Sequence, residues 1–139
     1  MHDCIKNLSI IKSELDLRLS NNKLNILPNI IAVSKTFPMK EILPLINYGH
    51  IHFGENKVQE GVEKWETIIN DFKDIKLHMI GKLQTNKVKL VVKVFDYIHS
   101  LDNLKLAKKI STEQKKVGKN LKIFIQINIG KEKQKNGIL

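Results

Sequence analysis

Five short apolar runs alternate with stretches of helical period along this chain, and that alternation restricts the fold more than any other feature. Asn29–Ser34 (NIIAVS), which is β-branched, and His50–Phe53, Leu77–Ile80, Phe95–His99 and Leu121–Ile129 are strand-sized. The first is continuously apolar, which predicts a strand covered on both faces. Between the runs, apolar residues recur every three or four positions. They are Met39, Ile42, Leu43 and Ile46; then Val58, Val62, Trp65 and Ile69; then Val88, Val91 and Val92; then, from about Asp102, Leu104, Ala107 and Ile110. A leading helix carries Cys4, Leu8, Ile11, Leu15 and Leu19 on one face and breaks at Asn21-Asn22. Pro38 suits the first turn of the second helix, and Gly49 its end. Helix, then strand and helix four times, then a strand is the parallel α/β pattern. No linker or low-complexity stretch divides it, so residues 1–139 are expected to form a single domain.

Polar residues cluster directly after strand after strand: Ser34-Lys35-Thr36, Gly54-Glu55-Asn56, Gly81-Lys82, Ser100, and Asn128 with Gly130. A flavodoxin-like sheet uses only its switch-point loops, whereas a β/α barrel uses the whole rim at the C-terminal ends of its strands. Neither G-x-G-x-x-G nor G-x-x-x-x-G-K-[ST] follows the first strand, which argues against a nucleotide fold. The expected architecture is therefore a parallel β/α (TIM-type) barrel. Such a barrel takes eight strands and roughly 250 residues, and 139 residues supply five. Either the sheet stays open or the chain is the N-terminal part of a longer protein, truncated after about five strands.

The formal net charge of +10 raises the question of a nucleic-acid partner. All but one of the 24 basic residues are lysine, Arg18 being the exception, and aromatic residues make up only 6%. Base-edge recognition leans on arginine and single-strand binding on aromatic stacking, so the basicity reads as a solvated lysine surface. A basic RNA-binding module stays as a minor alternative. Cys4 is the single cysteine, which excludes an internal disulfide and suits a reducing compartment. Charges interrupt the first thirty residues, and no run approaches the roughly 18 apolar residues of a membrane span. A cytoplasmic, monomeric protein is expected.

Four segments, in this order and each at a strand end, carry a family resemblance. They are Ile31-Ala-Val-Ser-Lys-Thr36 with Pro38; Phe53-Gly-Glu-Asn56 with Val58-Gln-Glu60; His78-Met-Ile-Gly81 with Leu83-Gln84 and Asn86-Lys87; and Gln126-Ile-Asn128 with Glu132, Lys135 and Gly137. Together they resemble the pyridoxal phosphate homeostasis family (YggS/PROSC type), whose fold is similar to the N-terminal barrel of alanine racemase. The resemblance runs from about Asn29 to Gly137. Lys57 departs from it, standing where relatives often have an aromatic residue, and is expected to face solvent. The family continues for about three more β/α units, which by the resemblance hold the groups that bind the cofactor phosphate.

The resemblance implies a protein that binds pyridoxal 5'-phosphate as a Schiff base on Lys35 and serves intracellular homeostasis of that vitamin B6 cofactor without catalytic turnover. The cofactor is an aldehyde and needs a neutral amine; burial at the mouth of an apolar strand would favour that form. The plain alternative for Lys35 is a strand-end lysine in solvent. Asn56 is implied to lie near the cofactor ring, and otherwise suits a helix N-cap. Lys135 matches a basic position whose cation would stabilise the ring's phenolate oxygen, and otherwise is a solvated loop lysine. His50 and His52 share a strand side, but with only Glu55 nearby no zinc site is expected. His78 is expected to be a hydrogen-bonded core histidine, and Met39, Met79 and Trp65 to be packing residues. Two other readings stay open: a truncated fragment that binds nothing, and a racemase-like enzyme dependent on the same cofactor.

Overall fold

The computed structural model describes residues 2–139. They fall into two compact units, one formed by the chain up to Ile30 with Phe37–Ile51, the other by Ile31–Thr36 with His52–Leu139.

The first unit is a helix pair, α1 (Asp3–Asn21) and α2 (Met39–Asn47). The two pack on one another, and the Ser9 and Tyr48 hydroxyls lie 3.3 Å apart. Pro38 caps α2 at its N-terminus, and Gly49, at φ 94°, takes the left-handed conformation that ends it. Pro44 lies inside the helix, which continues through it. One expectation fails in α1: Leu8 is buried, but Ile11 is exposed. At ~1.5 Å per residue a nine-residue α2 can cover only about half of a nineteen-residue α1.

The second unit holds the sheet. Its strands are β1 (Ala32–Val33), β2 (His52–Glu55), β3 (Lys76–Met79), β4 (Tyr97–Leu101) and β5 (Lys122–Ile125). All pairings are parallel and the spatial order is β1-β2-β3-β4-β5, with β1 and β5 at the edges. The parallel α/β class expected from the alternation is present, and chain order equals sheet order throughout. Between strands run α3 (Val58–Trp65) with the short α4 (Ile68–Asp71), then a 3-10 turn (Thr85–Lys87) leading into α5 (Val88–Val94), then α6 (Leu104–Lys116). Helix α3 packs on α5 and α5 on α6, so the three crossovers share one face of the sheet.

Strand alternation decides what points where. Phe53, Glu55, Leu77, Met79 and Ile98 are fully buried toward the helices, with Trp65, Val91, Val92 and Phe95. The expected packing roles of Met79 and Trp65 hold, and the Phe53 and Trp65 rings sit 5.0 Å apart. The opposite face carries Val33, His52, Gly54, His78, Tyr97, His99, Lys122 and Phe124.

Both edge strands are shorter and barer than their composition suggested. Where Asn29–Ser34 reads as a strand covered on both faces, only Ala32–Val33 pairs, and Val33 is 47% exposed. Where Leu121–Ile129 reads as one long strand, pairing stops at Ile125, and Ile127 makes an isolated bridge to Ile138. Phe124, Ile125, Ile127 and Ile129 are exposed. Each edge has a ladder on one side only, so β-propensity there has no second partner to satisfy.

Candidate functional site

Lys35 stands in the turn just past β1, and the backbone on either side of it is fixed by a buried polar cluster. Ser34 donates its N–H to the Gly54 carbonyl at 3.0 Å and its hydroxyl to Glu55 Oε1 at 2.7 Å. Glu55 has no exposed surface; its Oε1 also accepts from Trp65 Nε1 at 2.9 Å and from Lys64 Nζ at 3.0 Å. Lys64 reaches further, donating to the Ser34 carbonyl at 2.9 Å and to Glu60 Oε1 at 3.3 Å. Thr36, the residue after Lys35, has φ 67°, a conformation a β-branched residue rarely adopts. Its N–H donates to Glu60 Oε1 at 2.6 Å. That bond is the main reason the Glu60 carboxyl titrates below its ordinary range; desolvation opposes it, and Lys64 adds to the lowering.

Glu55, Glu60, Lys64 and Trp65 build this support from two elements, and their sequence pattern does not mark them as a unit. The one local signal was the Glu60–Lys64 spacing of four on a helix. Lys35 itself is exposed, not buried at the mouth of its strand as the sequence suggested. The cluster holds its backbone and leaves its amine at the surface.

Asn56 directly follows β2, the strand adjacent to β1. It does not cap a helix: the N-cap of α3 is Lys57, and no side chain bonds there. Asn56 Oδ1 is buried and has no partner among the described residues. Its backbone is pressed against Gly81, after β3, so closely that a Cβ on Gly81 would strike the Asn56 carbonyl. Asn56 opens onto a cavity of about 260 Å³ lined also by Lys57, Gln59, Lys82, Gln84 and Lys87. Lys57 is exposed and contributes one of the three ammonium groups there. Lys35 is not part of that lining.

Lys135 lies elsewhere, in the loop beyond β5, paired with Glu132 at 2.8 Å and exposed. Asn128 organises the loop by donating to the Glu132 carbonyl and accepting from the Glu132 N–H. The loop lines an open polar hollow of about 430 Å³. Lys35 and Lys135 therefore sit beyond opposite edges of the sheet, four strand spacings apart, or roughly 19 Å at ~4.8 Å per spacing. The structure brings Lys35 and Asn56 to neighbouring strand ends and leaves Lys135 apart.

His78, read as a hydrogen-bonded core histidine, is one: it is 4% exposed and bonded on both sides, to His52 and to His99. Burial, then the neighbouring His99 and His52, push its pKa down to about 4. Burial and the cations Lys76 and Lys122 lower that of His52, and burial lowers that of His99. Among the described residues no group of three or more His, Cys, Asp or Glu side chains is arranged to hold a metal ion. Nor is any helix long and apolar enough to cross a membrane.

No family model matches the chain, but individual relatives do. It is 37% identical over 133 residues to the pyridoxal phosphate homeostasis protein of Haemophilus influenzae, covering 95% of this chain and 56% of that one. The protein of the same description in Escherichia coli K12 is 40% identical over 114 residues, 78% of this chain and 47% of that one. The chain thus spans about half the length of the curated relatives it matches. Among solved structures, PipY of Synechococcus elongatus resembles it with a TM-score of 0.74 at 34% identity without PLP, over 90% of this chain and 59% of that chain. The PLP-bound form of PipY gives 0.72 at 33%, over 90% of this chain and 58% of that chain. A structure from Bifidobacterium adolescentis matches with a TM-score of 0.84 at 26% identity, over 96% of this chain and 58% of that one.

Proposed function

By sequence this chain belongs to the pyridoxal phosphate homeostasis family, and on that premise we propose that it binds pyridoxal 5'-phosphate through Lys35 and serves homeostasis of that cofactor without turning over a substrate. The observation that carries the reading is the PLP-bound structure of PipY, a third identical to this chain over nine-tenths of its length.

The residues present fit the group. Its aldehyde condenses with a lysine amine, and its ring carries a hydroxyl and an anionic phosphate. Lys35 supplies the amine on a backbone held by Ser34, Glu55, Glu60 and Lys64. The unpartnered Asn56 Oδ1 is an acceptor at the next strand end, suited to a ring hydroxyl or a bridging water. Lys135 is the cation that the family resemblance assigns to the ring oxygen. In the finer fold reading residues 1–139 form consecutive units of one β/α barrel domain with ligand groups on the C-terminal rim, and there Lys135, after β5, faces Lys35, after β1, across that rim. Sheet order equal to chain order supports the barrel. A monomer in the cytoplasm completes the proposal, in keeping with the lone cysteine.

The test is the visible absorbance of the purified chain mixed with pyridoxal phosphate, beside Lys35→Ala. An imine band that needs Lys35 and survives gel filtration is expected. A well-folded chain without the band, or a band unchanged in Lys35→Ala, would overturn the assignment.

A further inference from the structure

A row of three imidazoles crosses the sheet face opposite the helices, one from each of three consecutive strands. The parallel register sets them diagonally: His78 lies opposite Gly54, two residues past His52, and Tyr97, two residues before His99, lies opposite His78. Gly54 has no side chain to block the diagonal. His52 Nδ1 is 2.9 Å from His78 Nε2, and His78 Nδ1 is 2.9 Å from His99 Nε2. Tyr97 stacks on His78 at 4.0 Å, and Phe124 on His99 at 4.6 Å, holding the rings in place.

Proton counting turns this geometry into a chemical statement. Three neutral imidazoles carry three N–H protons on six nitrogens, and each N···N contact needs one proton. Only two arrangements satisfy both contacts: all three protons on the Nδ1 atoms, or all three on the Nε2 atoms. Any mixture leaves two lone pairs, or two protons, facing one another. A proton arriving at His52 Nε2 converts the first arrangement into the second. The His52 Nδ1 proton passes to His78 Nε2, the His78 Nδ1 proton passes to His99 Nε2, and the His99 Nδ1 proton leaves. At the halfway point four protons occupy the row, one in each contact and one at each end, and no hydrogen bond is broken. A fifth proton must put two N–H groups head to head.

The surroundings favour passage over storage of several charges. Among the described strand residues, the charged and titratable groups on the face of the row are Lys76 on β3, Tyr97 on β4 and Lys122 on β5, with Lys122 Nζ 5.4 Å from the Tyr97 ring. Among the described residues, no strand contributes an acidic side chain to this face. We propose that His52, His78 and His99 form one proton-relay site, which accepts a single excess proton as a shared charge and transmits it from β2 to β4.

The experiment is nitrogen NMR of the full chain labelled at histidine, titrated from pH 8 to pH 4. At pH 8 both nitrogens of His78 are expected at averaged positions between the protonated and bare forms, reporting exchange between the two arrangements. On acidification one proton per chain should be taken up in a step shared by all three rings, with the amide spectrum of the sheet retained. His78→Phe should split that step into separate titrations of His52 and His99. His99→Gln, which shortens the row at its end, should leave a step shared by two rings. Three independent titrations in the native chain, a single fixed tautomer at His78, or loss of the folded spectrum before the first proton binds would each overturn the relay.

Discussion

Replacing Lys64 by methionine keeps the length of the side chain and removes one charge from the cluster behind Lys35. The side chains of Lys64 and Glu55 are 10% and 0% exposed, so solvent screens their attraction very little. Breaking such a buried pair from one side costs about 3–5 kcal/mol, because the remaining charge stays desolvated. Glu55 would keep the Ser34 hydroxyl and Trp65 Nε1, while the Ser34 carbonyl and Glu60 would each lose a donor. Small domains are stable by about 5–15 kcal/mol, so Lys64→Met should remove a large share of the total. Trp65 is the only tryptophan and is itself bonded to Glu55, which makes its fluorescence the natural signal for urea unfolding. Lys135→Met, which breaks a pair exposed at 63% and 42%, is the control and should cost under about 1 kcal/mol. The double variant Glu55→Leu/Lys64→Met should recover part of the loss, since no fully buried charge is left unpaired, although Trp65 Nε1 loses its acceptor. A cost below about 1 kcal/mol for Lys64→Met, at unchanged denaturant slope, would refute the reasoning.

Glycine substitutions test the close approaches. A Cβ at Gly61 would lie 2.7 Å from Phe95 Cζ, so Gly61→Ala should cost about 1–3 kcal/mol by urea melt, and Gly81→Ala, which meets backbone, at least as much. Acid should weaken the fold through His78. Its folded pKa of about 4 lies below the 6.5 of the unfolded chain, so this contribution is complete above pH 6.5 and is lost as pH falls toward 4. It amounts to roughly 3 kcal/mol at ~1.36 kcal/mol per unit; urea midpoints at pH 7 and pH 4.5 should show it, and His78→Phe should flatten the difference. Asn103 accepts the Leu106 N–H at 2.9 Å at the start of α6, and Asn103→Ala should cost about 1 kcal/mol in the same melt.

The interior of the sheet was legible because its composition and its surroundings agree. The apolar run Leu77–Ile80 lies within one residue of the strand Lys76–Met79, and the ends of α2 at Pro38 and Gly49 follow from backbone chemistry alone. The edges were not legible. Periodicity says which residues can be buried, and it cannot say whether a partner lies opposite; Ile11, Val33 and Phe124 are apolar, well placed and exposed for want of one. The same limit governs the site. Lys35 and Asn56 stand at strand ends, where local pattern locates them, but the support of Lys35 comes from Glu55, Glu60 and Lys64, some twenty to thirty residues away. The imidazole row depends on register, since a slip of one residue would send His78 to the helix face.

Because each of these five strands pairs with its neighbour in the chain, no pairing among them waits for a distant segment to arrive. Each closing loop is one crossover long, which keeps contact order low for a parallel sheet and the entropy of closure small. A growing chain leaving the ribosome at about 5–20 residues per second completes β2 against β1, then β3 against β2, in the order in which they appear. Assembly of the sheet thus has a direction. Each finished strand is the template for the next.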